Sequence, residues 1–370
     1  MKINFVDLEK QYENLDVTPL IDLIKHGQFV GGKALEEFED SFAKYCGTKY
    51  AVGVGSGTDA LWLSLKALGI GVGDEVIVPA NTYIATAFAV SHTGAKPVFV
   101  DPNPETYTID AESIEDAITT KTRAIIPVHL YGYPADMDGI MGLAETYELF
   151  IVEDCAQSAG AIYKGKRTGS FDAVGCYSFY PTKNLGGLGQ GGAVVTNEEF
   201  IANYVREMGN VGRSSGSWFD YSHVGLNSRL DTINAKFLSY GLATLDYWNN
   251  HRVKVANWYY QQLKDVANVK TPLMKTDEIK PVFHLYELKC EDKITRDLLK
   301  DFLNKNNIST SLHYPKPCHQ QTMYKNFYSI CPISDNLSDT LLSLPMHPTL
   351  LEEEVTFICD IIKEFFNTKK

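Results

Sequence analysis

The chain has 370 residues, enough for one large α/β unit with an appendage or for two domains. Apolar residues make up 44% and charged residues 22%, which excludes collagenous and disordered classes. With 34 Lys and Arg against 46 Asp and Glu, the formal net charge is −12, so nucleic acid and anionic membranes are poor partners. Any bound anion must be held by a local device.

Asp7, Glu9 and Lys10 fall where a signal peptide would need an apolar core, so no signal peptide is expected. The run Tyr50–Val54 is short, apolar and followed by glycines, and residues 58–68 then show helical spacing at Leu61, Leu65 and Leu68. The uncharged stretch 76–95 is long enough to span a bilayer, but Pro79, Asn81, Thr82, His92 and Thr93 interrupt it. It reads as a buried strand, a turn and a core helix. Runs at 97–100, 124–128 and 150–152 lack alternation, as strands covered on both faces do, and helical patterns such as 140–147 lie between them. This succession predicts a mainly parallel sheet in an α/β domain. From Asp246 the texture changes to a polar-aromatic helical pattern over 247–263, then to segments punctuated by Pro272 and Pro281. The expected division is a large domain over 1–245 and a smaller α+β domain over 246–370. The seven cysteines are scattered and never spaced C-x-x-C, so neither a disulfide framework nor a metal site is expected, and a reducing cytoplasm suits them.

Ligands of open α/β sheets sit beyond the carboxyl ends of strands, where strand turns into helix. Four such places carry chemistry here. Residues 53–60, Gly-Val-Gly-Ser-Gly-Thr-Asp-Ala, offer a glycine-lined helix start, either an anion site or a plain N-cap by Ser56 or Thr58. Residues 150–158 bring Glu153 and Asp154 to the mouth of a buried strand, where alternation lets one hold a cationic ring nitrogen while the other points away, or where a strand-end Asp simply closes a turn. Residues 178–187, Ser-Phe-Tyr-Pro-Thr-Lys-Asn-Leu-Gly-Gly, surround Lys183 with small, aromatic and apolar neighbours, which lower the pKa of an amine and make it nucleophilic. Residues 225–231 place Asn227 and Arg229 before an apolar helix, in an active-site loop or a simple capping turn. Gly187, Gly189 and Gly192 match the G-x-G-x-x-G spacing, but they precede a strand-like run rather than open a helix, so the dinucleotide reading fails.

An anion turn, a strand-end acid and a lysine are the parts that pyridoxal-phosphate chemistry needs. On these motifs, and over almost the whole length from residues 5–8 to 343–347, the sequence resembles the DegT/DnrJ/EryC1/StrS sugar aminotransferases. That resemblance implies a fold-type I transferase with a large mixed-sheet domain, helices on both faces and a smaller α+β C-terminal domain. It implies pyridoxal 5'-phosphate as cofactor and a homodimer with shared active sites. Lys183 looks like the Schiff-base lysine and proton shuttle, and Asp154 like the partner of the ring nitrogen. Gln157 resembles the residue at the phenolic oxygen, and Tyr83 the ring stacked on the cofactor. Gly57, Thr58 and Ser178 look like phosphate ligands, with Asn227 reaching the phosphate from the neighbouring subunit. The chain departs from the family where Gln190 replaces a usual Asp after the lysine loop; the turn is expected to survive because Gln still accepts a hydrogen bond.

The family implies a nucleotide-linked keto-hexose as amino acceptor and L-glutamate as donor. The segments around Lys183, residues 129–138 and 227–231 resemble the branch that aminates carbon 3 of dTDP-linked 6-deoxy sugars. Amination at carbon 4 stays open, as does a catalytically idle regulatory protein. A related dehydratase replaces the lysine with His, whereas Lys183 is present. For the substrate, His313, Tyr314 and His319 form a loop that would bracket the sugar or the donor carboxylate. Arg213, in the polar loop 213–223, would face the nucleotide diphosphate, and Arg229 either joins it or caps its own turn.

Overall fold

In the computed structural model, residues 1–109, 111–171, 174–214, 216–327 and 329–368 are described. The buried runs do form strands: β1 (Tyr50–Val54), β2 (Glu75–Pro79), β3 (Lys96–Val100), β4 (Thr122–Ile125) and β5 (Phe150–Asp154). A small hairpin, β6 (Ile162–Tyr163) and β7 (Lys166–Arg167), separates them from β8 (Val174–Ser178) and β9 (Gly192–Thr196). Seven of these strands make one sheet in the order β1-β9-β8-β5-β4-β2-β3, parallel throughout except for β9. Every residue of β2 and β9 is buried, as strands without alternation should be. β4 itself ends at Ile125, but the run expected over 124–128 goes on pairing: Ile126 N–H donates to Ile77 O at 2.9 Å and, although Pro127 has no N–H to give, its carbonyl accepts from Asp154 N–H at 2.8 Å.

The helix Gly57–Ala67 packs on β8, and the helix Ala85–Thr93 lies beside it over the main core of Val76, Val78, Val90, Val152 and Val194. The strand, turn and helix expected over 76–95 are therefore present. The helical pattern at 247–263 belongs to a longer helix, Thr232–Leu263, which runs unbroken through the expected boundary at 246. Its second half lends Val255, Tyr259 and Leu263 to a separate core, built on β12 (Tyr286–Cys290), β13 (Leu341–Leu344) and the helices Lys293–Lys305 and Glu352–Thr368. β10 (Val269–Lys270) edges that sheet, and β11 (Ile279–Lys280) pairs with β6 of the larger body. Cys318, Tyr324 and Cys331 return to the main core, so the C-terminal segment touches both. Among the described residues no helix is long and apolar enough to cross a membrane.

At the end of β5 the pleat separates the two acids. Glu153 is fully buried and accepts from His129 Nε2 at 2.9 Å, Gly169 N–H at 2.6 Å and Phe171 N–H at 3.1 Å. Ala135 N–H donates to His129 Nδ1 at 3.0 Å, so the imidazole proton sits on Nε2, toward Glu153. Cys155 completes a cluster of ligand-type atoms within 4.8 Å, but the histidine and carboxylate atoms are engaged in these bonds. Since three donors converge on Glu153, Glu153→Gln sets an amide N–H against a donor. It is expected to cost about 2 kcal/mol, read as a lower denaturation midpoint; an unchanged midpoint would show that the network does not hold this corner.

Candidate active site

A cavity of about 430 Å³ opens at the carboxyl ends of β5 and β8, beside the first turn of the helix Gly57–Ala67. Ser56 caps that helix by accepting from Asp59 N–H at 3.1 Å. The N–H groups of Gly57 and Thr58 belong to its first turn and have no intrahelical partner. They border the cavity together with the Thr58 and Ser178 side chains. Gly57 is required sterically: a Cβ there would lie 2.7 Å from Ser178 Cβ.

Lys183 enters from the loop between β8 and β9, which main-chain bonds hold tightly. Lys183 N–H donates to Tyr180 O, Gly187 N–H to Phe179 O and Phe179 N–H to Gly191 O, each at 2.8 Å. Burial pushes the Lys183 amine down to about 8, and the Asp154 carboxylate pulls it back up. Asp154, 5% exposed, accepts from Thr86 Oγ1 at 2.8 Å and Ala156 N–H at 3.1 Å. Burial still holds its carboxyl above the ordinary range, which a cationic ring nitrogen would reverse.

Gln157 Oε1 accepts from Tyr131 N–H at 2.6 Å, and its Nε2 donates to Tyr314 Oη at 3.1 Å, leaving one amide N–H. Tyr83 is 56% exposed at the cavity edge and tilts against Tyr314 with centroids 5.7 Å apart. His313 and Tyr314 reach the cavity from the C-terminal part of the chain, as does His284. Burial, and then Lys183, hold His284 well below the ordinary imidazole range.

The other expected residues are not brought into this cavity. Asn227 is exposed, and Arg213 stacks over Trp218 at 5.1 Å. Arg229 donates to Asn210 Oδ1 at 2.7 Å and does not cap its turn. His319 sits in a 3-10 turn, Cys318–Gln320, where its Nε2 lies 3.2 Å from Asp335. None of these four borders the cavity, and Ser215 of the 213–223 loop lies outside the described residues. Gln190 does border it, but the turn is held differently from the expectation: Asn234 Nδ2 donates to the main-chain oxygen of Gln190 at 2.8 Å, not to its side chain. Thr86 and His284 escaped sequence reasoning. Thr86 was legible as the residue one turn after Thr82, whereas His284 lies in no motif.

The donor set fits pyridoxal phosphate: a desolvated amine, an acid in want of a cation, and neutral N–H and hydroxyl donors sized for a phosphate. Gly57→Ala must push the helix start away from Ser178 and misplace those donors. A loss of one charge-assisted bond is worth about 1.5–3 kcal/mol, so affinity for pyridoxal phosphate should fall at least about tenfold in a fluorescence titration. Unchanged affinity would show that the phosphate sits elsewhere.

The model of the DegT/DnrJ/EryC1/StrS aminotransferase family matches residues 10–363. A dTDP-3-amino-3,4,6-trideoxy-alpha-D-glucose transaminase of Streptomyces venezuelae is 42% identical, over 98% of this chain and 96% of its own. A dTDP-3-amino-3,6-dideoxy-alpha-D-galactopyranose transaminase of Aneurinibacillus thermoaerophilus is 41% identical, over 98% and 99%. The crystal structure of NtdA from Bacillus subtilis, with its bound cofactor PMP, matches at a TM-score of 0.92 and 30% identity, over 99% of this chain and 85% of that one. The chain belongs to the DegT/DnrJ/EryC1/StrS aminotransferase family, whose members are pyridoxal-phosphate-dependent sugar transaminases.

Proposed function

We propose that this enzyme transfers an amino group from L-glutamate to carbon 3 of a dTDP-linked 3-keto-6-deoxyhexose. The product is a 3-amino-3,6-dideoxy sugar nucleotide, made in the cytoplasm. The observation that carries the reading is the convergence of Lys183, Asp154 and the helix start at Gly57 on one cavity. The 3-amino-sugar transaminases among its relatives favour carbon 3.

Bound pyridoxal phosphate supplies an electron sink for the carbanion left when the donor's amine-bearing carbon loses its proton. Lys183, whose amine burial brings down to about 8, would take that proton in its neutral form and later give it back. Asp154, as a carboxylate, keeps the ring nitrogen protonated. Gly57, Thr58 and Ser178 hold the phosphate without a formal positive charge. Tyr83 covers one ring face, and the remaining Gln157 N–H serves the phenolic oxygen. His313 and Tyr314 orient the sugar. Asn227, exposed and outside its own chain's cavity, serves the partner's phosphate in a homodimer, with Arg213 and Arg229 available to the nucleotide diphosphate.

The first test is an absorbance spectrum with pyridoxal phosphate before and after L-glutamate. A visible band should convert to a near-ultraviolet one in the wild type, and Lys183→Ala should show no visible band at all. A colourless wild type would overturn the transaminase chemistry; carbon-4 amination, seen by NMR of the product, would overturn only the regiochemistry. The same lysine sets a pH dependence. Its neutral fraction rises from about one tenth at pH 7 to about nine tenths at pH 9 for a pKa of about 8. Capture of pyridoxal phosphate by the cofactor-free protein should therefore speed up through that window and then level off in stopped-flow traces; a flat profile would contradict the desolvated amine.

A further inference from the structure

The register of the small sheet sets an acid, a hydroxyl and an imidazole in line with the cavity. Glu287 of β12 and Ser343 of β13 are direct partners across an antiparallel pair. Their neighbours Tyr286, Leu288, Leu342 and Leu344 point into the core, so alternation sends Glu287 and Ser343 to the opposite face. Ser311 pairs with Ser343 on the other side, and two residues later the chain delivers His313. Ser343 Oγ lies 2.5 Å from Glu287 Oε1 and 2.7 Å from His313 Nδ1. His313 Nε2 has no hydrogen-bond partner among the described residues, and the residue borders the cavity with Lys183.

We propose that Glu287 and Ser343 are positioning residues that form a proton relay to His313, setting which nitrogen of its ring carries the proton facing the substrate. The same heavy-atom spacing serves two proton arrangements. With Glu287 protonated, it donates to Ser343, Ser343 donates to Nδ1, and Nε2 carries the proton. With Glu287 ionised, Ser343 donates to Glu287 and accepts from Nδ1–H, leaving Nε2 as an acceptor. A stored proton at Glu287 is supported by its Oε2, buried with no hydrogen-bond partner among the described residues, and by burial, which pushes the carboxyl up to about 8. Burial, and then Lys183, push His313 down to about 4, so the ring stays neutral while its proton moves.

This inference rests on reading His313 as a substrate-facing residue. In amino transfer to a ketone, the carbon–oxygen double bond gives way to carbon–nitrogen and the oxygen leaves as water, taking two protons that the attacking nitrogen gives up. His313 Nε2–H donates one of them to the oxygen, while Ser343 refills Nδ1 and Glu287 refills Ser343. A proton from the nitrogen then returns to Nε2 and runs the chain back, so Glu287 ends protonated, and a second passage in the same way delivers the other proton with which the oxygen leaves as water. No oxidant or metal is required.

The groups facing Glu287 are His313, Tyr107, Tyr131 and Tyr314, with Glu105 across a small adjoining cavity. Those facing His313 are Lys183, His284 and Tyr314. Tyr131 also donates its hydroxyl to the His313 main-chain oxygen, but among the described residues it is Glu287 that connects to the His313 ring through the Ser343 hydroxyl.

The test is the tautomer of His313 in holoenzyme labelled with nitrogen-15 histidine, assigned by loss of its signals in His313→Gln. The proton should move from Nε2 to Nδ1 as pH rises through about 8. Both Glu287→Gln, which cannot ionise, and Ser343→Ala, which breaks the wire, should hold one tautomer throughout. With the keto-sugar substrate, kcat of Glu287→Gln should drop about 100-fold, the lower end of general acid–base effects, with KM for L-glutamate unchanged. A wild-type tautomer that ignores pH, a switch that survives in Glu287→Gln, or an unchanged kcat would each overturn the relay. The NMR readout is independent of the sugar accepted, so a wrong regiochemistry leaves it intact.

Discussion

Two acids adjacent in sequence at the end of β5 have to be buried, and the pleat lets them be buried for different purposes. Glu153 turns into the body, where two N–H groups and the His129 ring satisfy it. A buried carboxylate left without such partners would cost several kcal/mol or take up a proton. Asp154, on the other face, receives only Thr86 and Ala156 and so retains an appetite for positive charge. Because Glu153 anchors the strand end, Asp154 has one place to point, and Lys183 is the amine within its field.

The position of Lys183 depends in turn on its neighbour. Asn184 Nδ2 donates to Asn249 Oδ1 at 2.8 Å and to Val282 O at 3.1 Å, while its Oδ1 lies 3.1 Å from His284 Nδ1. With Asn184 Oδ1 as acceptor, His284 must carry its proton on Nδ1. Asn249 belongs to the long helix Thr232–Leu263, and Val282 and His284 lead into β12. One buried amide therefore ties the lysine loop to the helix that runs from the larger body into the smaller core and to the segment that starts the smaller sheet. Gly186 permits this by leaving room: a Cβ there would lie 2.2 Å from Pro181 O. The lysine is placed from three directions while its own amine makes no hydrogen bond among the described residues and stays available for chemistry.

What the sequence made legible follows from this anatomy. Uninterrupted apolar runs marked the central strands, and strand ends carrying polar residues marked Asp154, Ser178 and the helix start at Gly57, because burial on both faces leaves function only at the rim. The lysine loop was readable through its glycines and aromatics. Residues that connect to the cavity only through strand register were not readable. Glu287 sits in Tyr-Glu-Leu-Lys-Cys, an alternation compatible with a solvated face, and only its pairing with Ser343 shows that both faces are covered. His319 lies apart from His313 for the opposite reason: proximity in sequence counts for little once Pro317 and a 3-10 turn direct the ring toward Asp335. Asn227, Arg213 and Arg229 lie on surface segments whose use depends on a second chain or a ligand, and local pattern carries no information about either.

A chain of net charge −12 that binds a phosphate must keep its own acids quiet near the site. Burial does this on opposite sides of the cavity. It lowers Lys183 to about 8 and raises Glu287 to about 8, so near neutral pH Glu287 adds no formal negative charge. Asp154 is held above the ordinary carboxylate range by the same cause, which a cation beside it offsets. The anion is then met by helix-start N–H groups and hydroxyls, which need no counter-charge and are screened little inside a cavity. Desolvation thus yields an amine that loses its proton near pH 8, a stored proton and an acid that favours a nearby cation, all from ordinary side chains. All three are set by how deeply the sheet edges are covered, which is why the fold and the chemistry of this site cannot be varied independently.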